Sequence, residues 1–468
     1  MRHRPPAVLR LICASLIAVA YIAPSAHADS HTVDLDVAAR ALGIGSTYSV
    51  KKIAAKNDLT ADLIDATKTA APVTKPRLVV LPSGSFDVKK SVRVANGVYL
   101  VAQGDTTVQW GGADGQMIRF DGVTSGVYGG VWDGAKRGSS HVFSASGATV
   151  RLAKLTARNA GANGIVAYKK STLTVASVTS TANGRDGLYT QESKVSVTGL
   201  KATANQRSGV MLARKSSGTI KKSTLDRNGQ AVKGSTQGKT GHGLGLDESS
   251  KATVVSTTMS KNKVCGISLT KKAEVTVTDS TIASNGRHGV GTRGGNRATI
   301  TDTAISGNGY NGVLATDSGT KVTLKNSTIE SSKKFGLSIP SKGAATLTGT
   351  TVKASGESNI SVSGGGKLTL KSSNSVTSAK RDGIAVTSKG RIAVSGAGNV
   401  VSKNKANGLR VSGSGTLGTV AEKMSVKDNK EIAILVHVKA KLETVKNSVS
   451  GGKKKGVVTR SGGRVVKR

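Results

Sequence analysis

Five short stretches decide the fold of this chain: NGRDGLYTQ (183–191), NQRSGVMLA (205–213), NKVCGISLT (262–270), NGRHGVGTR (285–293) and NGYNGVLAT (308–316). Each reads Asn, three variable residues, Gly and an apolar residue. Related glycines recur along the chain, mostly at steps of 22 to 25 residues. A fixed period of this length is typical of repeat proteins, in which each repeat is one structural unit. The repeat glycines are Gly164, Gly187, Gly209, Gly243, Gly266, Gly289, Gly312, Gly336, Gly383, Gly408 and Gly456.

The segments between these motifs read as short β-strands. STLTVASVTS (171–180), SKVSVTGLKAT (193–203) and AEVTVTDSTI (273–282) alternate apolar with polar residues between Gly, Asn, Asp and Ser. About three such strands fit in one period, and no helical pattern recurs. The sequence therefore predicts the coils of a parallel β-solenoid, with Ile360 and Ala433–Ile434 marking two coils that lack the motif.

The motif itself has a physical interpretation. Asparagine tolerates left-handed backbone and its amide can bond nearby main chain, while glycine permits the next tight conformation. Stacked on successive coils, the motif asparagines are expected to form a ladder of amides. The residue after each glycine is apolar and is expected to point into the core. The ladder asparagines are Asn183, Asn205, Asn262, Asn285 and Asn308.

With these residues in place, the repeat resembles that of right-handed parallel β-helix proteins of the pectate-lyase-like superfamily. RLVVLPSGSFDVKKSVRVANGVYLVAQG (77–104) is similar to the usual first coil, and GGVWDGAK (129–136) to a common early coil. The resemblance implies an all-β, right-handed parallel β-helix over residues 77–468. The superfamily includes lyases, hydrolases and epimerases of acidic polysaccharides, as well as phage tailspikes and adhesins.

The N-terminal part has a different organisation. Residues 1–28 have the layout of a signal peptide, with Arg2, Arg4 and Arg10 before an apolar run and a small-residue cleavage pattern, so we expect a secreted protein. No later stretch is apolar enough to be a transmembrane segment of the mature chain. Residues 29–76 contain two segments with helical spacing, 33–44 and 49–70, which Ser49 and Asp58 can cap. They predict a short helical cap over the first coil.

Charge points to an anionic partner. The whole chain carries a net charge of +41, and removing the three arginines of the signal leaves +38. Such a field attracts acidic polysaccharide or an anionic cell-wall polymer. Aromatic residues make up only 3% of the chain, which leaves few platforms for stacking bases, so we expect no nucleic acid. A highly charged surface that only keeps a secreted protein soluble is the alternative, and the oligomeric state stays open.

Candidate catalytic residues come from counting positions from each repeat glycine. Positions +1 and +3 are expected to face inward and +2 and +4 outward, whereas the direction of position −1 stays open. Because neighbouring coils are about 4.8 Å apart, equal positions form columns. His242 and His288 share column −1, two coils or about 9.6 Å apart, which is too far for a shared metal, so no metal or other cofactor is expected. As general acid or base these histidines suit sugar chemistry, with Tyr189 as proton donor and Arg293 as the group that neutralises a uronate carboxylate.

Further columns suggest a binding edge. At +5, Lys169, Glu192, Arg214, Glu248 and Lys271 alternate in sign and are interpreted as a structural charge ladder. At +6, Lys170, Lys215 and Lys272 form a basic edge that can bind a polyanion, and Asp247 is the remaining candidate substrate-binding residue. Between Asn228 and Gly243 the usual spacing grows by eleven residues, which places a loop beside His242.

Family motifs transfer poorly to these residues. GHG (241–243) is similar to a short element of polygalacturonases, but the paired aspartates and the Arg-x-Lys element are not found around it. The alginate-epimerase motif and the pectate-lyase calcium cluster are not matched either. The sequence thus favours a uronate polysaccharide lyase or C5-epimerase, with a non-catalytic cell-surface or cell-wall-binding β-solenoid as the alternative.

Overall fold

The computed structural model describes residues 32–72, 74–229, 241–422, 424–444, 449–450 and 456–467. Over these ranges the chain winds into a right-handed parallel β-solenoid of about 16 coils, as the sequence predicts. Each coil contributes one strand in turn to three long parallel sheets, here called sheet 1, sheet 2 and sheet 3. The expected signal peptide (1–28) and residues 230–240 of the insertion lie outside the described residues.

The strands are short because each sheet covers one side of a narrow coil. The described strands of sheet 1 are Ser49–Lys52, Arg77–Leu81, Val98–Ala102, Thr124–Tyr128, Thr149–Ala153, Thr172–Ala176, Lys194–Thr198, Ser217–Lys221, Lys251–Val255, Glu274–Thr278, Arg297–Thr301, Lys321–Lys325, Ala344–Thr348, Lys367–Leu370, Arg391–Val394, Leu417–Val420, Lys441–Thr444 and Arg464–Lys467.

Sheet 2 follows sheet 1 in every coil and has the shortest strands. Those described are Ser85–Val88, Thr107–Trp110, Val131–Asp133, Thr156–Arg158, Thr179–Thr181, Lys201–Thr203, Thr224–Asp226, Thr258–Ser260, Thr281–Ala283, Ala304–Ser306, Thr328–Glu330, Thr351–Lys353, Ser375–Thr377, Asn399–Ser402, Met424–Lys427 and Val449–Ser450.

Sheet 3 contains the strands that begin just after the repeat glycines. Those described are Val92–Arg93, Gln116–Asp121, His141–Ser146, Ile165–Tyr168, Leu188–Gln191, Val210–Ala213, Leu244–Leu246, Ile267–Thr270, Val290–Arg293, Val313–Thr316, Leu337–Ile339, Ile360–Val362, Ile384–Thr387, Leu409–Ser412, Ile434–His437 and Val457–Arg460. The strands at Ile360 and Ile434 confirm the two coils that lack the motif.

The core runs along the inside of the solenoid. In Leu188–Gln191 and Ile267–Thr270 buried residues alternate with half-buried ones, so positions +1 and +3 face inward and +2 and +4 outward, as predicted. One continuous apolar cluster extends from Ile53 to Leu442. Because the strand period is 2 and the coils are in register, every coil adds the same few apolar side chains to it.

The N-terminal residues confirm the predicted helical cap but correct its extent. The first helix, Leu35–Ala41, is capped by Asp34, whose carboxylate accepts hydrogen bonds from the N–H groups of Asp36 and Val37. It packs on the outer face of sheet 1. The second helix spans only Thr60–Thr67, and its apolar side joins the core.

The expectation that Ser49 caps a helix is wrong. Ser49–Lys52 is a strand paired in parallel with Arg77–Leu81, because its backbone completes the edge of sheet 1. Asp58 does accept a hydrogen bond from the Thr60 N–H at 2.9 Å, at the start of the second helix. Neither described helix is long and apolar enough to cross a membrane.

The predicted asparagine ladder is confirmed and gains Asn228 as a member. Each amide nitrogen donates to the side-chain oxygen of the asparagine in the next coil, at 2.8–3.0 Å from Asn183 to Asn308. The same oxygens accept backbone N–H groups of the preceding coil. All six side chains are buried, so the ladder satisfies main-chain and side-chain polar groups that water cannot reach.

The conformational explanation of the motif needs correction. The left-handed residue is the one before each ladder asparagine, for example Ala204 at φ 55° or Lys261 at φ 53°. The repeat glycines are required for another reason: a Cβ on Gly187 would lie 2.7 Å from the Gly209 carbonyl oxygen and 2.8 Å from the Asn205 amide nitrogen. Adjacent coils therefore approach too closely at Gly187 for a Cβ, and within residues 164–456 only the two coils that lack the motif carry a side chain at the equivalent described position, at Asn359 and Ala433.

Replacing Asn262 by alanine is expected to destabilise the protein by about 2–4 kcal/mol, because buried donors of Asn228 and the carbonyl of Leu225 lose their partner. Denaturant unfolding of the mature protein measures this. The matched control is Asn57→Ala at an exposed position, which we expect to change stability by less than about 0.5 kcal/mol. Equal effects of the two substitutions would contradict a structural role for the ladder.

Candidate functional site

The turn that leads into sheet 3 buries a column of polar side chains. The structure settles the direction of position −1, which the sequence left open: Asp186 is 1% exposed, Cys265 4% and His288 6%. Ordinary turn residues would be solvated. Burying a titratable group costs free energy unless the group is neutral or has a partner. This column is therefore where we look for groups with shifted pKa values.

A cleft of about 390 Å³ lies on the outer side of sheet 3 at the coils of Gly164 to Gly243. We call it the tyrosine–aspartate cleft. Tyr168 and Tyr189 line it from adjacent strands, with ring centroids 6.0 Å apart and planes tilted by 55°. The other lining residues are Asn163, Arg185, Asp186, Gln191, Arg207, Met211, Ala213, Arg214, Asp247 and Glu248.

Asp186 is the buried carboxyl group of the cleft. Its Oδ1 accepts a hydrogen bond from the Ser208 N–H at 2.8 Å, but its Oδ2 receives none from any described residue. Burial raises the pKa of this carboxyl, while the nearby Arg207 and the bond from Ser208 oppose the increase. The net effect is a pKa above the ordinary value of an aspartate, because burial disfavours the charged form of the carboxyl group.

The cationic and phenolic groups around Asp186 are also incompletely satisfied. The buried Nε of Arg207 finds no acceptor among the described residues. Tyr189 Oη donates a long hydrogen bond of 3.3 Å to Gln191. Burial raises the pKa of both Tyr168 and Tyr189, so both phenols are protonated at neutral pH. The cleft thus combines a free carboxylate oxygen, a free guanidinium N–H and two hydroxyl donors.

The two predicted histidines are neutral at physiological pH. Burial, assisted by Arg207 and Arg287, lowers the pKa of His242 to about 4. Burial, assisted by Arg287 and Arg293, lowers that of His288 to about 4 as well. Neither Nδ1 atom has a hydrogen-bond partner within the described part of the chain. His288 packs edge-on against another ring, that of Tyr310, at 5.4 Å.

The four predicted catalytic residues therefore fall into separate places. Tyr189 lies in the cleft. His242 lies on the same coil as Asp247, which is one of the residues that line the cleft. His288 and Arg293 lie two coils further on, where Arg293 acts electrostatically on His288. No hydrogen bond or ring contact joins any two of the four in the ranges described.

The predicted substrate-binding residues lie at the adjoining corner between sheet 3 and sheet 1. Lys170 and Lys215 line a depression of about 720 Å³ together with Lys271. Lys272 is exposed beside them. Asp247 is held on the cleft side, where it accepts hydrogen bonds from Thr270 Oγ1 at 2.7 Å and from the Glu248 N–H at 2.9 Å.

The charge ladder is confirmed at Glu248. Its carboxylate lies 2.8 Å from Lys271 Nζ and 3.7 Å from Arg214 Nε, so it pairs with the coils on both sides. Arg214 and Glu248 line both the cleft and the corner depression. The two features are therefore one continuous surface.

Sequence reasoning missed three groups of this site, and one of them is Asp186, which shares column −1 with the two predicted histidines. Arg207 lies at position −2, which the columns did not include, and Tyr168 stood in the +4 column without an assigned role. The signal that could have found them is the repetition of arginine at position −2 in Arg185, Arg207 and Arg287. No cluster of three or more His, Cys, Asp or Glu that could hold a metal ion occurs in the described residues.

Comparisons with known proteins identify the fold. The profile of the family described as "Right handed beta helix region" matches residues 140–292, 265–422 and 311–467. No curated protein sequence matches.

Among solved structures, the chain is similar to the A-module of the Azotobacter vinelandii mannuronan C-5 epimerase AlgE4, at 18% identity and a TM-score of 0.48, covering 68% of this chain and 91% of that one. It is also similar to the Dettilon tailspike protein, at 13% identity and a TM-score of 0.47, covering 64% and 60%. ORF18 of Geobacillus virus E2 matches at 12% identity and a TM-score of 0.46, covering 59% of each chain.

The depressed histidine pKa values predict a loss of stability in acid. Between about pH 6.5 and pH 4 the unfolded chain binds protons at His242 and His288 that the folded chain does not, so stability falls as the pH is lowered through this range. The expected loss is of order 2 kcal/mol per histidine.

Unfolding by denaturant at pH 7.0 and pH 4.5 measures this loss, and the double variant H242Q/H288Q isolates it from other groups. We expect the variant to show a smaller pH dependence than the wild type. An identical pH dependence, or imidazole NMR signals that titrate near pH 6.5, would contradict the buried neutral state.

Proposed function

The chain belongs to the right-handed β-helix family, and from this premise we propose that it is a secreted protein that binds an acidic polysaccharide along sheet 3. We assign its chemistry to uronate units held in the tyrosine–aspartate cleft, as in a polysaccharide lyase or C5-epimerase. The observation that carries the proposal is the pair of unsatisfied groups, Asp186 Oδ2 and Arg207 Nε, in one cleft.

A uronate sugar complements both unsatisfied groups. Its ring hydroxyls donate hydrogen bonds, which a free carboxylate oxygen accepts. Its carboxylate accepts charge-assisted bonds, which a guanidinium N–H donates. Buried polar groups without partners are costly, and a ligand that satisfies both recovers that cost on binding. The half-buried rings of Tyr168 and Tyr189 offer the apolar and hydrogen-bonding faces on which a sugar ring rests.

The same groups suit removal of the proton next to the uronate carboxylate. A base takes the C5 proton, and the electron pair moves into the carboxylate, whose charge Arg207 stabilises. In elimination the pair then forms the C4–C5 double bond and expels the glycosidic oxygen, which takes a proton from Tyr189. In epimerisation a proton returns to C5 from the opposite face.

Asp186 is the group we assign as base, since its pKa is raised by burial and one of its oxygens is free of hydrogen bonds within the described residues. His242, on the neighbouring coil, is the alternative base predicted from the sequence. Its low pKa makes it unprotonated but weakly basic at neutral pH.

A second function has its own support. His288 and Arg293 lie away from the cleft, and the basic corner continues far beyond it. A non-catalytic cell-surface or cell-wall-binding β-solenoid needs only the binding surface and not the cleft chemistry. The two functions differ in whether the bound polymer is altered.

Incubating the mature protein with alginate, pectate and glycosaminoglycans tests the proposal. Absorbance reports unsaturated uronates from elimination, and anomeric proton NMR reports epimerisation. We expect Tyr189→Phe and Asp186→Asn each to lower kcat by about 10²–10⁴-fold, because each removes a proton-transfer group. Arg207→Gln is expected to raise KM as well, because it removes a carboxylate contact.

The matched control is Tyr310→Phe, which removes a phenolic hydroxyl outside the cleft on the same side of the solenoid. It is expected to retain activity. If neither absorbance nor NMR changes on any polymer while salt-sensitive binding persists, the binding-only function replaces the enzymatic one. If Asp186→Asn is fully active and His242→Gln is not, His242 is the base.

A further inference from the structure

Six exposed lysines occupy one corner of the solenoid between sheet 3 and sheet 1. We call them the lysine row. They extend well beyond the cleft, across eleven coil steps or roughly 50 Å. The members of the lysine row are Lys170, Lys215, Lys272, Lys342, Lys389 and Lys439.

The backbone at this corner does not call for lysine. All six residues have left-handed backbone, with φ between 53° and 64°. Glycine takes this conformation without steric cost, whereas a lysine there is mildly strained. Intervening coils use glycine in the same turn, at Gly295, Gly365 and Gly415. Ser249 takes the same conformation on another intervening coil, at φ 62°, so lysine is one choice among several at this turn, and its recurrence points to a use for its charge.

The lysines recur on every second coil, apart from one three-coil step between Lys272 and Lys342. In the skipped coils a Cβ on Gly365 or Gly415 would lie 3.4 or 3.3 Å from the Cγ of the preceding lysine. The lysine stems thus lie along the solenoid axis over the glycines. Within each group of three lysines the backbone positions repeat at about 9.6 Å, twice the coil rise, and the three-coil step between the groups is about 14 Å.

The charge of the row is largely unneutralised. Acidic partners are found beside the cleft, where Glu248 engages Lys271 and Arg214. None of the six lysines of the row forms an ion pair with a residue that the structure describes. Six ammonium groups in a line, without ion-pair partners among the described residues, create a positive electrostatic potential along the corner. Such a potential attracts an extended anionic chain better than a compact anion.

We propose that the lysine row is a binding rail for a linear, extended uronate polysaccharide. In an extended two-fold chain, successive sugars are turned by half a revolution, so carboxylates on one side recur at every second sugar. A pyranose advances the chain by nearly one coil rise, which matches one carboxylate to each of Lys170, Lys215 and Lys272. The same spacing matches one carboxylate to each of Lys342, Lys389 and Lys439, and the three-coil step between the two groups requires one change of side in the bound chain. The rail rests on the proposed function and specifies its substrate as a long, extended polymer. Arg214 and Glu248 line both the cleft and the corner depression, so one polymer can occupy the cleft and the rail together.

The test uses the mature protein and three variants. The rail variant K342Q/K389Q/K439Q removes the half of the row that is remote from the cleft. The matched control K222Q/K325Q/K371Q removes the same charge from exposed positions at the corner between sheet 1 and sheet 2. The third variant is D186N. Binding of immobilised alginate is measured over a series of salt concentrations, together with the melting temperature.

The rail variant is expected to bind about tenfold more weakly at low salt and to show a shallower salt dependence, because fewer counterions are released. The control is expected to bind as the wild type does. D186N is expected to keep the wild-type salt dependence, because the lysine row is intact in it, although it loses a hydrogen bond to one sugar in the cleft. For uronate oligomers, affinity is expected to rise with length in the wild type but to stop rising at shorter lengths in the rail variant. Lys389→Gly should weaken binding without lowering the melting temperature, since glycine fits the turn.

Equal weakening in the rail variant and the control would overturn the rail, because only overall charge would then matter. Inorganic polyphosphate that binds as tightly, with the same loss in the rail variant, would overturn the assignment to uronates. Unchanged polymer in the absorbance and NMR assays, combined with the expected binding pattern, would remove the proposed chemistry and leave the rail standing.

Discussion

The fold depends on the close approach of successive coils at the turn before sheet 3. At this turn the backbone of one coil leaves no room for a Cβ in the next, as the 2.7 Å distance from a Cβ on Gly187 to the Gly209 carbonyl oxygen illustrates. The asparagine ladder lies directly beside this turn, and its side-chain hydrogen bonds of 2.8–3.0 Å fix the distance between successive coils. Glycine and asparagine therefore act together: glycine permits the contact, and asparagine satisfies the polar groups that the contact buries.

This constraint explains why functional groups gather at the same turn. With the glycine and the asparagine fixed, the residue between them at position −1 is held in the turn, where its side chain is buried, as at Asp186 and His288, or half-buried, as at His242. Serine, asparagine or cysteine can occupy that position at little cost. A carboxyl group such as Asp186 or an imidazole such as His288 must change its pKa or find a partner. A solenoid thus buries a titratable group simply by placing it in this column.

Much of the fold followed from the sequence because its period is regular. Because successive coils stack at a constant rise, residues at equal positions of the repeat lie above one another in the structure. The repeat glycines, the alternating strands and the columns could therefore be read from the sequence alone. The errors arose where a short segment is compatible with both a helix and a strand. Ser49–Lys52 carries a helical pattern but pairs as an edge strand, because hydrogen bonds to Arg77–Leu81 outweigh a weak helical propensity. The cleft could be predicted only in part: Tyr189 was found from its column, but the burial of Asp186 and the reach of Arg207 depend on turn geometry that periodicity does not describe.

The charge ladder explains how one basic surface can serve two purposes. Next to the cleft, Glu248 pairs with Lys271 and Arg214, so the sugar of the proposed function would meet paired side chains there together with the polar groups of the cleft. Further along the corner the acidic residues give way to glycine, and the lysines remain unpaired within the described coils. Pairing favours a fixed geometry, which chemistry needs, whereas free ammonium groups on flexible stems favour long-range, salt-sensitive attraction. In the proposed function, the change at position +5 from Glu248 to Gly294 and Gly364 separates a place that recognises one sugar from a surface that holds the rest of the polymer.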